Sequence, residues 1–269
     1  MSSFSPRTAV ITGGASGIGL AIARELAGQG TSVMLADLRG EKLDKAAGSI
    51  PGALAHPCDV SDPEQVEALA EAAFAQLGEV HLVLNNAGVG GPRGKMWEVD
   101  PAVARAHFDI NFWGVWNCCR AFAPRLIAQE APSALYNTGS ENSFFCAMPQ
   151  SAAYIAAKHA VLGLTENLRE DLPDHVHAGL IVPGWVFTAI GPEQFMKPGM
   201  PADQFARIVV PQILQRRRFV VSHGYNTVRI AERMDELAAS YAEFALPPEQ
   251  DAQYDVRLVM ERFRQGRPD

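Results

Sequence analysis

The sequence predicts an α/β fold, a doubly wound parallel sheet with helices on both faces. Short apolar, β-prone runs alternate with stretches at helical spacing along the 269 residues. These runs are apolar throughout rather than alternately polar, as expected of strands covered on both sides. Neither an internal repeat nor a low-complexity linker interrupts the alternation.

Residues 8–12 read as the first strand, and a Gly-rich turn leads into a helix over about 18–29. Residues 32–36 form a second strand ending at Asp37, 41–50 a helix, and 54–58 a short strand. Residues 63–77 carry Ala and Glu at helical spacing, with Asp62 as N-cap and Gly78 as stop. A side-chain oxygen satisfies the free N–H groups at a helix start, and glycine takes up the left-handed conformation that ends one. A fully apolar strand follows at 80–84, then one long helical region over 101–129 and a strand at 134–137. Residues 152–171 read as helix and 178–182 as strand. After Pro183 the pattern loosens. Gly191, Pro192, Pro198, Gly199 and Pro201 mark a mobile excursion, taken as a substrate loop over 189–210. Residues 219–222 read as a last strand and 228–244 as a helix stopped by Pro247 and Pro248. A final helix covers 254–264. The chain reads as one domain, 1–269, with 225–269 as a C-terminal helical extension.

Hydrophobic residues make up 48% of the chain and charged residues 20%, which supplies a large core and excludes disorder as the main state. Lys and Arg number 23 against 30 Asp and Glu, a net charge of −7 that argues against binding a nucleic-acid backbone. The one dense basic run, Arg216, Arg217 and Arg218, reads as a solvated helix end. No apolar run reaches the roughly 18 residues of a membrane span, and residues 1–8 lack the apolar core of a signal peptide. A cytoplasmic protein without membrane or nucleic-acid partners is expected. Cys58, Cys118, Cys119 and Cys146 form no CxxC pair, which fits reduced thiols. The histidines show no ligand spacing, so no metal is expected.

The first strand runs into Thr12-Gly13-Gly14-Ala15-Ser16-Gly17-Ile18-Gly19. Such a turn lets backbone N–H groups approach a pyrophosphate, to which the following helix adds the partial positive charge of its N-terminus. Asp37 ends the next strand, where an acid suits the ribose hydroxyls of NAD. A phosphate there would be repelled, and Leu38 rather than a basic residue follows, so NAD is favoured over NADP. Taken alone, Asp37 could equally be a turn cap. Tyr154 and Lys158 stand four residues apart on a predicted helix, hence on one face. An ammonium beside a phenol favours the phenolate, giving a general base for an alcohol. By itself that spacing is also common as surface decoration.

Together these pieces resemble the short-chain dehydrogenase/reductase family. The likeness rests on the 12–19 glycine turn, Asp59-Val60, Asn85-Asn86-Ala87-Gly88, Asn111, Ser140, Tyr154-Ile-Ala-Ala-Lys158 and Pro183-Gly184, in the family's order over about 7–188. The resemblance implies a Rossmann-type sheet of about seven parallel strands and interconversion of a secondary alcohol and a ketone. It implies Tyr154 as acid/base, Lys158 on the nicotinamide ribose lowering the Tyr154 pKa, and Asn111 holding a relay water. Gly13, Ser16, Gly17, Ile18, Gly19, Asp37 and Leu38 would line the cofactor. Asp59 and Val60 would face the adenine. Asn86, Ala87 and Gly88 would lie along the adenosine and ribose, with Asn85 steadying the sheet. Val186 and Thr188, after Pro183 and Gly184, would meet the carboxamide and nearby phosphate.

One departure stands out. The family's catalytic Ser sits thirteen residues before the Tyr, and that position is Glu141 here. A hydroxyl must hold the substrate oxygen, and a carboxylate would repel developing alkoxide charge. Ser140 is therefore assigned, with Ser143 as a second contact and Glu141 as a loop residue pointing away. Ser143, Phe144, Phe145, Trp185 and Phe187 predict an apolar pocket for an aromatic or alicyclic substrate. Ala156, Ala160 and Gly163 form a small-residue stripe, and the family commonly assembles through this helix, so a homodimer or homotetramer is expected. Two other readings remain. The scaffold could serve another NAD(P) chemistry (epimerase, dehydratase or enoyl reductase), or a non-catalytic NAD-sensing protein.

Overall fold

A computed structural model describes residues 4–265 of the chain. Residues 1–3 and 266–269, the outermost parts of the expected domain and extension, lie outside the described residues. In chain order the elements are β1 (Thr8–Thr12), α1 (Gly17–Gly28), β2 (Ser32–Asp37), α2 (Glu41–Gly48), β3 (Leu54–Pro57), α3 (Pro63–Leu77) and β4 (Leu82–Asn85). Next come α4 (Pro101–Phe108), α5 (Gly114–Ala128), β5 (Ser133–Thr138), α6 (Ala152–Asp171) and β6 (Val176–Val182). They are followed by β7 (Val186–Phe187), α7 (Glu193–Met196), β8 (Met200–Pro201), α8 (Ala202–Leu214) and β9 (Phe219–Val221). Last are α9 (Asn226–Phe244), α10 (Pro248–Asp251) and α11 (Val256–Arg264).

Seven of these strands form one parallel sheet, in the order β3-β2-β1-β4-β5-β6-β9. Successive side chains of a strand face opposite ways, and both faces are covered. Ala9 and Ile11 pack with Ile22 and Leu26 of α1, Leu43 of α2 and Phe205 and Val209 of α8. Val10 packs with Val66 and Leu69 of α3, Val115 and Phe122 of α5 and Val161 of α6. The apolar strand runs thus reflect burial on both sides. The Asp62 carboxylate caps α3 by accepting the Glu64 and Gln65 N–H groups, as expected, and Gly78 follows at φ 77°.

The strand order reverses between β1 and β4. At such a switch point the chain leaves the two strands in opposite directions and opens a crevice at their carboxyl ends. The glycine turn leaves β1 there, and Asn86-Ala87-Gly88 leaves β4 beside it.

Two elements differ from expectation. The long helix over 101–129 contains a π-helical turn at Asp109–Trp113, between α4 and α5. Such wide turns have no signature in apolar periodicity and are frequent at functional sites. The excursion expected over 189–210 is helical from Ala202. In α8, Phe205, Val209 and Ile213 are fully buried on a face packed against α1. The prolines that suggested a loop include Pro201, which stands at the start of this helix. Ahead of α8, β7 and β8 pair in parallel as a separate two-stranded ribbon.

The described residues fall into two compact units, one up to Asn226 and one from Thr227 onward. The second holds nearly all of α9 together with α10 and α11, and Met234, Leu237 and Tyr241 of α9 are exposed. Among the described residues, no helix is long and apolar enough to cross a membrane.

Candidate active site

The glycine turn is shaped by what surrounds it. Gly13 and Gly17 have φ of 63° and 53°, in the left-handed region that glycine enters without strain. A Cβ on Gly13 would lie 2.8 Å from Ala87 Cα, and one on Gly19 would lie 2.3 Å from the Gly13 carbonyl oxygen. Ser16 stands at the N-cap of α1 without a side-chain cap, and the first turn of the helix holds no acidic residue. Its leading N–H groups and dipole therefore face the crevice uncompensated, which suits a pyrophosphate. Ile18 packs its side chain into the first core layer. Thr188 lies over the turn, its methyl 3.1 Å from where a Gly17 Cβ would stand.

The Asp37 carboxylate accepts the Ala15 N–H at 2.9 Å and the Leu38 N–H at 2.8 Å, tying the end of β2 to the glycine turn. The cap reading and the ribose reading of Asp37 thus describe one place. Leu38 is exposed there. Asp59 turns its carboxylate to Ser61, accepting its N–H at 2.9 Å and its hydroxyl at 2.7 Å. Val60 is buried, and a Gly114 Cβ would come within 2.6 Å of it. Asn86 donates its side-chain amide to the Thr12 and Gly13 carbonyls at 3.1 and 3.3 Å, so its nitrogen braces the turn. Asn85 donates to Asn137 Oδ1 at 2.8 Å and bridges β4 to β5, the steadying role expected of it. Gly88 passes close to Asn111, where a Cβ would lie 2.8 Å from Oδ1. The Val186 side chain is buried in the core, so only its backbone is left to meet a ligand.

Tyr154 and Lys158 lie on one face of α6, the Lys158 ammonium 5.8 Å from the centre of the Tyr154 ring. Ser140 is close enough for its side chain to favour the Tyr154 phenolate. Ser140 begins the 3₁₀ turn Glu141–Ser143, and its hydroxyl accepts the Asn142 N–H at 3.1 Å. Lys158 is buried and donates to the Thr138 carbonyl at 2.8 Å.

The electrostatics correct one expectation. The Tyr154 phenol is raised above its ordinary value, first by burial and also by the Glu141 charge, against the opposing influence of the Ser140 side chain. Lys158 is not what governs it. Burial brings Lys158 itself down to about 8, because a desolvated ammonium is costly.

Asn111 sits in the π-helical turn. Its amide nitrogen lies 3.2 Å from the His107 carbonyl and 3.1 Å from His107 Nδ1, and its Oδ1 accepts the Val89 N–H at 3.3 Å. The side chain is thus committed to protein groups, and a relay water would fall to the backbone of the turn. His107 escaped the sequence reading. It is buried, its ring centre is 5.9 Å from that of Tyr154, and its pKa is lowered by burial and by Lys158. Its position four residues before Asn111 was the available signal.

The remaining predicted residues divide. The Ser143 hydroxyl donates to the Lys158 carbonyl at 2.7 Å and accepts the Ser140 N–H at 3.2 Å. It clips the Ser140 turn to α6 and is not presented to a substrate. Phe144 packs edge-on against Phe219 at 5.9 Å, and Phe145 is buried. Trp185 and Phe187 are each 39% exposed and remain available to a substrate. Glu141 does not point away: it is buried and accepts the Tyr225 hydroxyl at 2.8 Å. Pro183 accepts the Glu141 N–H at 2.9 Å, and Gly184 packs where a Cβ would lie 2.7 Å from the Tyr225 oxygen. No local pattern signals Tyr225, which lies 84 residues from Glu141.

Residues 7–198 match the short chain dehydrogenase family. The chain is 35% identical over 254 residues to 1-deoxy-11-beta-hydroxypentalenate dehydrogenase from Streptomyces exfoliatus, covering 90% of this chain and 91% of that one. The protein of the same name from Streptomyces avermitilis is 41% identical over 192 residues, covering 68% and 70%. Among solved structures, a short chain dehydrogenase/reductase from Burkholderia phymatum in complex with NAD superposes with a TM-score of 0.83 at 29% identity, covering 89% of this chain and 97% of that one. With a reversed parallel sheet, a glycine turn at its switch point and a Tyr, Lys and Ser gathered beside it, the chain belongs to the short chain dehydrogenase family.

Proposed function

We propose that the protein is an NAD-dependent oxidoreductase that interconverts a secondary alcohol and a ketone. The observation that carries this reading is Tyr154 and Lys158 on one face of α6, the ammonium 5.8 Å from the ring centre, with Ser140 acting on the phenol and the glycine turn at the switch point of the sheet. Ser140 holds the substrate oxygen. Tyr154 takes the hydroxyl proton as the carbinol hydride leaves, and returns it in the reverse direction. Lys158 and the π-helical turn around Asn111 position Tyr154 and the ribose. When bound, the nicotinamide supplies the hydride acceptor or donor. Asp37, already holding Ala15 and Leu38, presents its carboxylate to the ribose hydroxyls and disfavours a 2′-phosphate. Trp185 and Phe187 offer an apolar wall, which suits an alicyclic or aromatic substrate, and the names of the Streptomyces relatives support an alicyclic one. The assembly is a homodimer or homotetramer.

The test is reduction of NAD, with NADP in parallel, against alcohols from small polyols to cyclic and aryl alcohols. Turnover of an alicyclic alcohol with NAD is expected. Preference for NADP, or turnover confined to polyols, overturns the corresponding assignment. Tyr154→Phe should lower turnover by about 10²–10⁴-fold while dinucleotide binding persists. A variant that keeps full function would instead mark a non-catalytic sensor.

A further inference from the structure

Three segments distant in sequence meet behind Ser140. The Glu141 N–H donates to the Pro183 carbonyl at 2.9 Å, and Glu141 Oε2 accepts the Tyr225 hydroxyl at 2.8 Å. The same Tyr225 oxygen accepts the Trp185 N–H at 3.2 Å. Glu141 is therefore fastened twice to the segment after β6, once directly and once through Tyr225. The junction is close-packed. At Gly184 a Cβ would lie 2.7 Å from both the His223 ring and the Tyr225 oxygen. His223 packs on Tyr225 at 5.4 Å between ring centres, its Nδ1 2.7 Å from the Ser222 hydroxyl.

We propose that Glu141, clasped by the Tyr225 hydroxyl, is a positioning residue for Tyr154: it docks the Ser140 turn on the Pro183–Trp185 segment and stations a carboxylate next to Ser140. The proposal rests on reading Tyr154 as the acid/base. The groups facing Tyr154 are Lys158 on its own helix, His107 on α4, and Ser140 and Glu141 on the turn, with Tyr225 and His223 behind Glu141. Of these, Glu141 is the one that brings a negative charge, and it adds to the upward shift of Tyr154. Tyr225 is pushed up to about 12 by partial burial and by Glu141, so it remains a hydroxyl donor at neutral and moderately alkaline pH. The pair thus keeps Tyr154 protonated, ready to donate in ketone reduction, and moves alcohol oxidation, which needs the phenolate, to higher pH.

The test uses two readouts. Glu141→Gln preserves shape and an oxygen that can accept from Tyr225 but removes the charge. The ionisation of Tyr154 is read without substrate, as the phenolate absorbance lost when Tyr154→Phe is added to each background. Its midpoint should fall by about one pH unit in Glu141→Gln, and the alkaline limb of kcat/KM for alcohol oxidation should fall with it. An unchanged midpoint overturns the proposal. Tyr225→Phe keeps the ring and strips the donor from the carboxylate, so the midpoint should rise. If Glu141→Gln does not fold, an unchanged midpoint in Tyr225→Phe overturns the proposal in its place. A shifted midpoint in a protein that oxidises no alcohol would sink the functional reading while leaving the pair's effect on Tyr154 standing.

Discussion

Burial acts on Tyr154 and Lys158 in opposite directions and favours the neutral form of each, raising the phenol and bringing the ammonium down to about 8. For Lys158 the folded value lies below the unfolded value of about 10.4. Between these two values the unfolded chain holds more protons, so this residue's contribution makes stability rise with pH there. Below pH 8 the full penalty of burying the cation is present. Lys158→Met removes that penalty and also the bond to Thr138. The stability difference between variant and wild type should therefore move in favour of the wild type by about 2.5 kcal/mol from pH 7 to pH 10. Thermal unfolding of both proteins at three pH values measures it. A constant difference would mean that Lys158 is not buried as a cation. The spacing of Tyr154 and Lys158 was legible in the sequence because four residues return to one helix face. The sign of the shifts was not, because it depends on how deeply other elements bury that face.

At the level of the element, the glycine turn is where local sequence and tertiary packing agree. Gly19→Ala would press a Cβ to 2.3 Å from the Gly13 carbonyl oxygen and 2.6 Å from Asn86 Nδ2. It should cost about 1–3 kcal/mol and weaken dinucleotide binding. Gly28→Ala in the same helix meets no atom within 4 Å and should be neutral or stabilising by about 0.5–1 kcal/mol. Calorimetric unfolding and a dinucleotide titration of both variants check the pair; equal effects would show that the turn is not packed this way. The π-helical turn at Asp109–Trp113 and the helix α8 were not legible. One extra residue in a helical turn leaves the apolar pattern intact, and a Pro- and Gly-rich approach masked the apolar face of α8.

For the whole molecule, the parallel sheet brings residues separated by tens of positions to one end of β1 and β4. It also leaves an outer face on α6. Ala156 and Gly163 are exposed there, and Trp113 and Trp116 beside the start of α5 are 47% and 44% exposed. Small residues allow close approach of another helix, and exposed aromatics add apolar area. Light scattering at micromolar concentration should show a homodimer or homotetramer, and Gly163→Arg should reduce its size. A wild-type monomer would contradict the assembly.

The sequence by itself determined the strands, most helices, the glycine turn and the Tyr154–Lys158 face, because each depends on periodicity or on a short local pattern. Only the tertiary structure decided what Ser143, Phe144 and Glu141 do. Ser143 clips two elements together, Phe144 packs on Phe219, and Glu141 is buried against Tyr225. These roles depend on partners between 15 and 84 residues away. Such contacts exist only once the sheet has set the register of its strands, and no local pattern of residues encodes them.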